Sequence, residues 1–277
     1  MPSAQTLELE LLPGARSLLA AHRRALPQRD DLCGAFCGAL ALQAAGIDSY
    51  NGEQVDQDAV ALAAGSVISA LPDPRHLPHG AHSRRDYRLA LPLIEDASAS
   101  GTTPAGLVRA LERISGSALA AIPLAGPWST SALAGLFDLA GAVPRPVTVV
   151  ANVATRHLWG SGATAAELLD YLIEGIEEGP PADWDVGHFV CLIGRMRGPG
   201  GALYGVADTY PSLGGGGVHA QPAERLVLAL QRPRMPPGGL IVIASAEDAA
   251  ALRDGAGALG LRERAWDNGT VLPEMLA

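Results

Sequence analysis

Cys33 and Gln28 have the residue types that acyl transfer by a cysteine nucleophile uses. Cys33 follows Gln28 by five residues and begins an Ala- and Leu-rich run, "CGAFCGALALQAAG". A helix N-terminus stabilises a thiolate through its unpaired N–H groups and the positive end of the helix dipole. The thiol also needs a base that takes or holds its proton, and histidine is the usual one. The pattern therefore predicts Cys33 as a nucleophile with a histidine partner elsewhere in the chain.

His188 and Asp208 are the candidates for that base and for the carboxylate that orients it. His188 follows Gly187 at the start of a strand-like run, "GHFVCLIGRM", and the turn sequence "RGPGG" joins this run to "ALYGVADTY". These signals predict an antiparallel hairpin. If the hairpin turns about Pro199, Val190 faces Asp208. Asp208 then lies on the sheet face of His188, one diagonal step away, whereas a register shift of one residue would place it on the other face.

Gln28 is the candidate for a second hydrogen-bond donor at the reacting centre. Its amide N–H₂ group and the backbone N–H of Cys33 would stabilise the oxyanion of acyl transfer if both were directed at one point. We therefore predict that Gln28, Cys33, His188 and Asp208 form one site.

This order of residues resembles that of the papain-like cysteine peptidases. The likeness is carried by a Gln, a Cys-Gly pair that begins a helix, a Gly-His pair on a strand and an Asp at the next strand. Within that superfamily "DLCGAF" and "GHFVCLIG…YGVADTY" are most similar to the branch that includes bacterial peptidases trimming double-glycine leader sequences, and "GTTPAGLVRAL" resembles a helix between these motifs. The resemblance implies Cys33 as nucleophile, His188 as general base and acid, Asp208 as its orienting residue and Gln28 as an oxyanion donor.

The implied fold is α+β and papain-like, with two lobes. The first lobe would be helical and contain the Cys helix, and the second would contain an antiparallel sheet. We expect residues 1–277 to form a single catalytic domain, with an irregular surface excursion at about residues 48–100 that is rich in Gly and Pro.

The expected function is that of a cysteine peptidase or amidase. Cys33 would attack an amide or ester carbonyl, and water would release the thioester while His188 cycles the proton. The same triad also serves acyl transfer to an amine. A non-catalytic peptide-binding module that retains the papain-like fold is the alternative from a different functional class. A peptide or amide is therefore the predicted binding partner, and no pattern specifies an oligomeric state.

The other two cysteines have structural interpretations. Cys37 lies one helical turn after Cys33 and is expected in the core, with a role as a redox partner of Cys33 as the alternative. Cys191 is an odd number of residues from His188 and should face away from it. An odd number of cysteines in a long chain favours free thiols over a disulfide framework.

Two further motifs suggest ligands but fit them poorly. The stretch "GSGATAAE" matches a dinucleotide fingerprint, yet Thr164 and Glu167 in it also make a capping box that begins a helix. His76, His79 and His82 follow no standard zinc spacing. The sequence therefore predicts neither a cofactor nor a metal ion.

Composition excludes several classes of function. All 20 basic residues are Arg, so lysine Schiff bases and phosphate-loop lysines are excluded. A net charge of −9 argues against nucleic-acid binding. No apolar run is long enough to span a membrane, and the N-terminal residues lack the basic and apolar regions of a signal peptide. These features predict a cytoplasmic protein.

Several elements must position the four site residues. The predicted helices run from Leu7 to Leu26, from after Asp30-Asp31 to Gly46, over about 57–70, from Pro104 with Thr103 as the cap, through "STSALAGLFDLAG", over about 164–175 and over about 223–230. The predicted strands are "PVTVVANV", "GHFVCLIGRM", "ALYGVADTY" and "GGLIVIAS". We expect an Asp cap before the Cys helix and a Gly after it.

Overall fold

The computed structural model describes residues 6–25 and 27–271. Within them the helices are α1 (Ala15–Arg24), α2 (Cys33–Ala44), α3 (Gln57–Ala64), α4 (Pro104–Ile114), α5 (Thr130–Gly141), α6 (Ala165–Glu174), α7 (Ala223–Gln231) and α8 (Ala249–Ala258). The strands are β1 (Glu8–Leu11), β2 (Ser49–Tyr50), β3 (Glu53–Gln54), β4 (Ile68–Ser69), β5 (Leu93–Ile94), β6 (Leu119–Ala125), β7 (Thr148–Ala154), β8 (Gly187–Arg197), β9 (Ala202–Ala207), β10 (Val218–Pro222), β11 (Gly239–Ser245) and β12 (Arg262–Glu263). Three single 3₁₀ turns are found at Pro74–His76, Ala97–Ala99 and Thr155–His157. The fold is of mixed α+β class, as predicted.

One antiparallel sheet dominates the fold. Its strands lie in the order β10-β9-β8-β7-β11-β6-β12, and β1 pairs with the later part of β8. Every residue of β7 is buried, so both faces of the sheet are covered at its centre. Helices α1 to α4 pack on one another, α5 packs on α7 and α8, and members of both groups contact the sheet. A continuous cluster of buried side chains extends from Leu12 to Trp266.

Most helix and strand predictions for the second half of the chain are confirmed. Branched side chains and flanking Gly and Pro correctly predicted β7, β8, β9 and β11, and helices α6 and α7 lie where they were expected. Helix α4 begins as predicted, because the Thr103 side chain accepts a hydrogen bond from the Gly106 N–H and Pro104 occupies the first turn. The sequence prediction missed β10, α8 and β12 here, and β6 between α4 and α5.

The prediction of a helix from Leu7 to Leu26 is wrong for its first part. Residues Glu8–Leu11 form β1, and its glutamates are paired with Arg195 and Arg197 on the neighbouring β8. Gly14, with φ 85°, ends this segment, and α1 follows directly. Leu26 lies outside the described residues. The conformation of β1 depends on pairing with β8, which lies almost two hundred residues later in the chain. Local hydrophobic periodicity cannot indicate such a distant partner.

The β8–β9 hairpin has the predicted register at its functional end. Cys191 pairs with Ala207 and Leu192 pairs with Val206, which is the register expected for a turn about Pro199. A bulge at Gly194 shifts the pairing of the remaining residues by one position. Because the bulge lies on the turn side, Asp208 stays on the face predicted for it.

Candidate active site

Cys33 begins α2 and is partly exposed at its N-terminus. The N-cap residue is Leu32, whose side chain supplies no acceptor, so the first-turn N–H groups have no side-chain cap. The predicted Asp cap is therefore wrong. Asp31 instead adopts a φ of 65° and its carboxylate accepts hydrogen bonds from the N–H and hydroxyl of Ser69, at 2.8 and 2.7 Å. The helix N-terminus thus stays free to stabilise a charge on Cys33 or on a substrate.

The residues before Cys33 are held by the segment that the sequence predicted as a surface excursion. The Asp30 carboxylate accepts hydrogen bonds from the Ser83 hydroxyl at 2.5 Å and from the Arg84 N–H at 2.9 Å. The Arg29 N–H donates to the Gln57 side chain at 2.7 Å. The excursion contains irregular backbone, as expected, but the helix predicted over about 57–70 ends at Ala64, because Gly65 is left-handed with φ 68° and Ile68–Ser69 pairs with β5. Its contacts also fix the loop that positions the thiol.

His188 and Asp208 form a buried pair at the start of β8 and directly after β9. His188 Nε2 donates to Asp208 Oδ1 at 3.1 Å and lies 3.3 Å from the Thr209 hydroxyl. The two side chains are 2% and 3% exposed. Oδ1 is itself held by the Thr209 N–H at 2.7 Å. Since Nε2 is occupied, Nδ1 is the ring nitrogen left to serve Cys33.

The charges of this pair stabilise one another. Burial lowers the pKa of His188, but the Asp208 carboxylate and, to a smaller extent, Cys33 outweigh it and raise that pKa to about 10. Burial raises the pKa of Asp208, but the charge of His188 and the hydrogen bonds from His188 and His219 hold it well below its usual range. The site therefore favours an imidazolium at neutral pH, next to the thiol of Cys33.

Gln28 is connected to the same strand end by its side-chain amide. Its Oε1 accepts from the Thr209 hydroxyl at 2.5 Å, and its Nε2 donates to the Tyr210 hydroxyl at 2.9 Å. The amide orientation is thereby fixed, and one N–H of Nε2 remains for another acceptor. The structure brings Gln28, Cys33 and His188 to one cleft.

Aromatic rings enclose the imidazole of His188. Trp184 lies edge-on to it with ring centroids 4.8 Å apart, and Tyr210 is stacked at 6.0 Å. Trp184 also lies edge-on to Tyr210 at 5.4 Å. These rings restrict the orientations of the imidazole and reduce its contact with water.

Two more histidines contact Asp208. His22 Nε2 lies 2.6 Å from the Asp208 carbonyl oxygen, and His219 Nε2 lies 3.5 Å from Oδ2. The Gln221 amide donates to Nδ1 of His219 at 3.1 Å, while its own orientation is set by the backbone of Trp159. Nδ1 of His219 must therefore accept, which leaves Nε2–H to face the carboxylate.

Cys37 and Cys191 lie together in the core. Both are fully buried, and the Cys191 thiol lies 4.0 Å from the Cys37 carbonyl oxygen. Burial and the neighbouring Cys191 raise the pKa of Cys37 well above its usual value. Cys33 is the partly exposed thiol of the three.

The cleft has a volume of about 260 Å³. Its wall residues come from both halves of the chain, at positions 28–102 and 152–270. Four acidic residues lie in these walls, and each has its own partner: Asp30 and Asp31 as described, Asp73 with Arg75, and Asp185 with Arg156.

The other motifs have the following structures. Thr164 and Glu167 form the capping box of α6. His76 lies 4.0 Å from Asp73, and residues 6–25 and 27–271 contain no group of three or more His, Cys, Asp or Glu side chains arranged to hold a metal ion. None of the helices in this part of the chain is both long and apolar enough to cross a membrane.

Several residues of the site were not predicted. Thr209 and Tyr210 follow Asp208 directly, so the quoted segment "YGVADTY" contained them without indicating their roles. Trp184 precedes His188 by four residues, and an aromatic residue so close in sequence to a candidate base could have indicated that its ring packs on the imidazole. His219, Asn152 and Arg232 reach the site only through tertiary packing.

The chain belongs to a family of unknown function (DUF6885), whose model matches residues 12–267. No curated protein matches the chain. The family gives no activity, so the function must be argued from the chemistry of the cleft.

Proposed function

We propose that the protein is a cysteine-dependent hydrolase of amide bonds, a peptidase or amidase, with a papain-like, two-lobed fold. The observation that carries the proposal is the His188–Asp208 pair, whose Nε2 is occupied and whose Nδ1 is left for the thiol at the N-terminus of α2. Helix α2 packs on β8, which brings Cys33 near His188. A cleft lined by both halves of the chain supports the two-lobed arrangement.

The chemistry follows from these positions. The Cys33 thiolate attacks the carbonyl carbon, and the oxyanion accepts hydrogen bonds from the Cys33 N–H and the second N–H of Gln28. The imidazolium of His188 gives its proton to the leaving amine as the C–N bond breaks, which leaves a thioester. His188 then takes a proton from water, and the resulting hydroxide equivalent releases the carboxylic acid and the thiolate. Asp208 keeps the ring oriented and stabilises its positive charge.

Site-directed alkylation tests this proposal. The protein is treated with a limiting amount of iodoacetamide, and the label is located by peptide mass spectrometry. We expect Cys33 to react faster than N-acetylcysteine at neutral pH, and Cys37 and Cys191, which are buried, to remain unlabelled. His188→Ala should remove the rate advantage.

Two outcomes would contradict the proposal. One is labelling of Cys33 no faster than that of the free thiol, which would favour a peptide-binding module without catalysis. The other is a rate advantage that persists in a folded His188→Ala variant.

A further inference from the structure

Arg232 places an enclosed positive charge in the cleft wall. It follows α7 in a left-handed conformation with φ 49° and is 1% exposed. It lines the cleft together with Cys33 and His188. Burial lowers the pKa of Arg232, and the charges of Asp267 and Cys33 oppose that shift. A guanidinium in such a position loses much of its hydration, which is costly unless an anion compensates it.

Within the described residues, Nη1 is the one nitrogen of this guanidinium that has a hydrogen-bond acceptor. Nη1 donates to Asn152 Oδ1 at 2.7 Å, and the same oxygen accepts from the Trp266 indole at 3.0 Å. Nε is buried and has no hydrogen-bond partner in the part of the chain that the structure describes. Among residues 6–25 and 27–271, Nη2 has no acceptor either, and no carboxylate forms an ion pair with Arg232. Nε and Nη2 together form the side of the guanidinium that matches the two oxygens of a carboxylate.

Gly187, the first residue of β8, leaves space for the guanidinium of Arg232 because it has no side chain. A Cβ atom on Gly187 would lie 2.6 Å from Nη2, so a larger residue directly before His188 would displace the charge. The nearest other side chain at that position is Met235, whose Cε would be 3.6 Å from the same Cβ and which also lines the cleft. A flexible thioether can move aside for a ligand.

The acidic residues of the cleft do not compensate Arg232. Asp30, Asp31, Asp73 and Asp185 are each held by other donors. Arg232 is therefore the charge in the cleft wall that still lacks a counter-ion within the described part of the chain.

We propose that Arg232 is the carboxylate-binding subsite of the cleft, so that the preferred substrates are amides or esters that carry a free carboxylate. This inference rests on the proposed function, because it takes Cys33 as the reacting group. The bound carboxylate would satisfy the Nε–Nη2 edge and fix the substrate relative to the thiol.

Iodoacetate and iodoacetamide test the subsite, because they carry the same leaving group and differ in a carboxylate. In both reactions the thiolate displaces iodide and forms a C–S bond. We expect the ratio of the iodoacetate rate to the iodoacetamide rate at Cys33 to exceed that of N-acetylcysteine about tenfold, as a charge-assisted hydrogen-bonded pair would give. In Arg232→Gln the ratio should fall to the free-thiol value, and the ratio is the readout because it cancels any effect of the lost charge on the Cys33 thiolate, which reacts with both reagents. Arg234→Gln, which removes an exposed charge two residues later, is the matched control.

Protection of the unmodified protein is a second measurement that needs no variant. N-acetylalanine carries a free α-carboxylate, N-acetylaspartate amide carries only a side-chain carboxylate, and N-acetylalanine amide carries neither. We expect one of the two acids to slow iodoacetamide labelling of Cys33 more than the amide does, and the better acid identifies the kind of carboxylate that is bound.

The outcomes separate the two proposals. Slow labelling by iodoacetamide itself would refute the nucleophile and hence the proposed function. Fast iodoacetamide labelling without a raised iodoacetate ratio, or without protection by either acid, would refute the subsite alone. An equal loss of both rates in Arg232→Gln would also refute it, because Arg232 would then act on the thiolate.

Discussion

Asp208→Asn removes one negative charge from the candidate site and keeps the size and shape of the side chain. The backbone N–H of Thr209 donates to Oδ1 at 2.7 Å, so the amide oxygen of Asn should keep that position. The new N–H₂ group would then replace Oδ2 and face the Nε2–H of His219, which is also a donor. His188 would keep an acceptor at 3.1 Å but lose its counter-charge.

The size of the effect follows from that distance. Two unit charges 3.1 Å apart interact by about 5 kcal/mol at an effective dielectric constant of about 20. The rise in the pKa of His188 from 6.5 to about 10 corresponds to about 5 kcal/mol as well. The remaining hydrogen bond offsets part of this loss, and we expect about 3 kcal/mol less stabilisation of the imidazolium. The equilibrium constant for proton transfer from the Cys33 thiol to His188 should therefore fall about a hundredfold.

The assay is the second-order rate of iodoacetamide labelling at Cys33 at pH 7, with circular dichroism as the check on folding. Asp248→Asn is the matched control, because Asp248 pairs with Arg145 and does not line the cleft. We expect the rate to fall by up to about a hundredfold in Asp208→Asn and to stay at the unmodified value in the control. A folded Asp208→Asn protein that labels at the original rate would refute the role assigned to this carboxylate.

Two further predictions concern pH and the oxyanion. The pKa of His188 in the folded protein lies above its unfolded value of 6.5, so its contribution to stability is full below pH 6.5 and is lost as the pH rises towards about 10. The urea concentration at which half of the protein is unfolded should therefore fall over that pH interval, and it should fall less in His188→Gln. An equal fall in both proteins would contradict this prediction. Gln28→Ala should slow ester hydrolysis about a hundredfold and leave alkylation of Cys33 nearly unchanged, because alkylation forms no oxyanion. Equal effects on both reactions would refute the assigned role of Gln28.

The hairpin that joins His188 to Asp208 could be predicted because two local rules determine it. Side chains alternate along a strand, and a Gly- and Pro-containing turn fixes which residues face each other. The bulge at Gly194 follows from neither rule, but it lies between the turn and the functional residues. The predicted register is therefore correct for the part of the hairpin next to His188 and Asp208.

The loop before Cys33 could not be predicted in the same way. Asp30 and Asp31 were expected to cap α2, since local pattern favours that role, but Ser69, Ser83 and Arg84 compete for the two carboxylates. These donors are about forty to fifty residues away in the sequence and lie in a segment without clear periodicity. Tertiary contacts of this kind decide the local conformation.

Arg232 shows a similar limit. An Arg that follows a helix normally extends into solvent or interacts with the last carbonyl groups of the helix. Here its burial depends on the missing side chain of Gly187 and on Asn152, a residue of another strand. Local sequence patterns do not predict that these three residues contact one another in the folded protein.

The most direct test of the central claim is to observe an acyl group on Cys33. We expect p-nitrophenyl acetate to give a burst of about one equivalent of p-nitrophenolate, followed by slower turnover, as for a thioester intermediate. Protein quenched during the burst should carry one acetyl group on Cys33 that disappears as substrate is exhausted, and Cys33→Ser should show neither. Absence of acetylated Cys33 in the quenched protein, or a burst that survives in Cys33→Ser, would contradict the account.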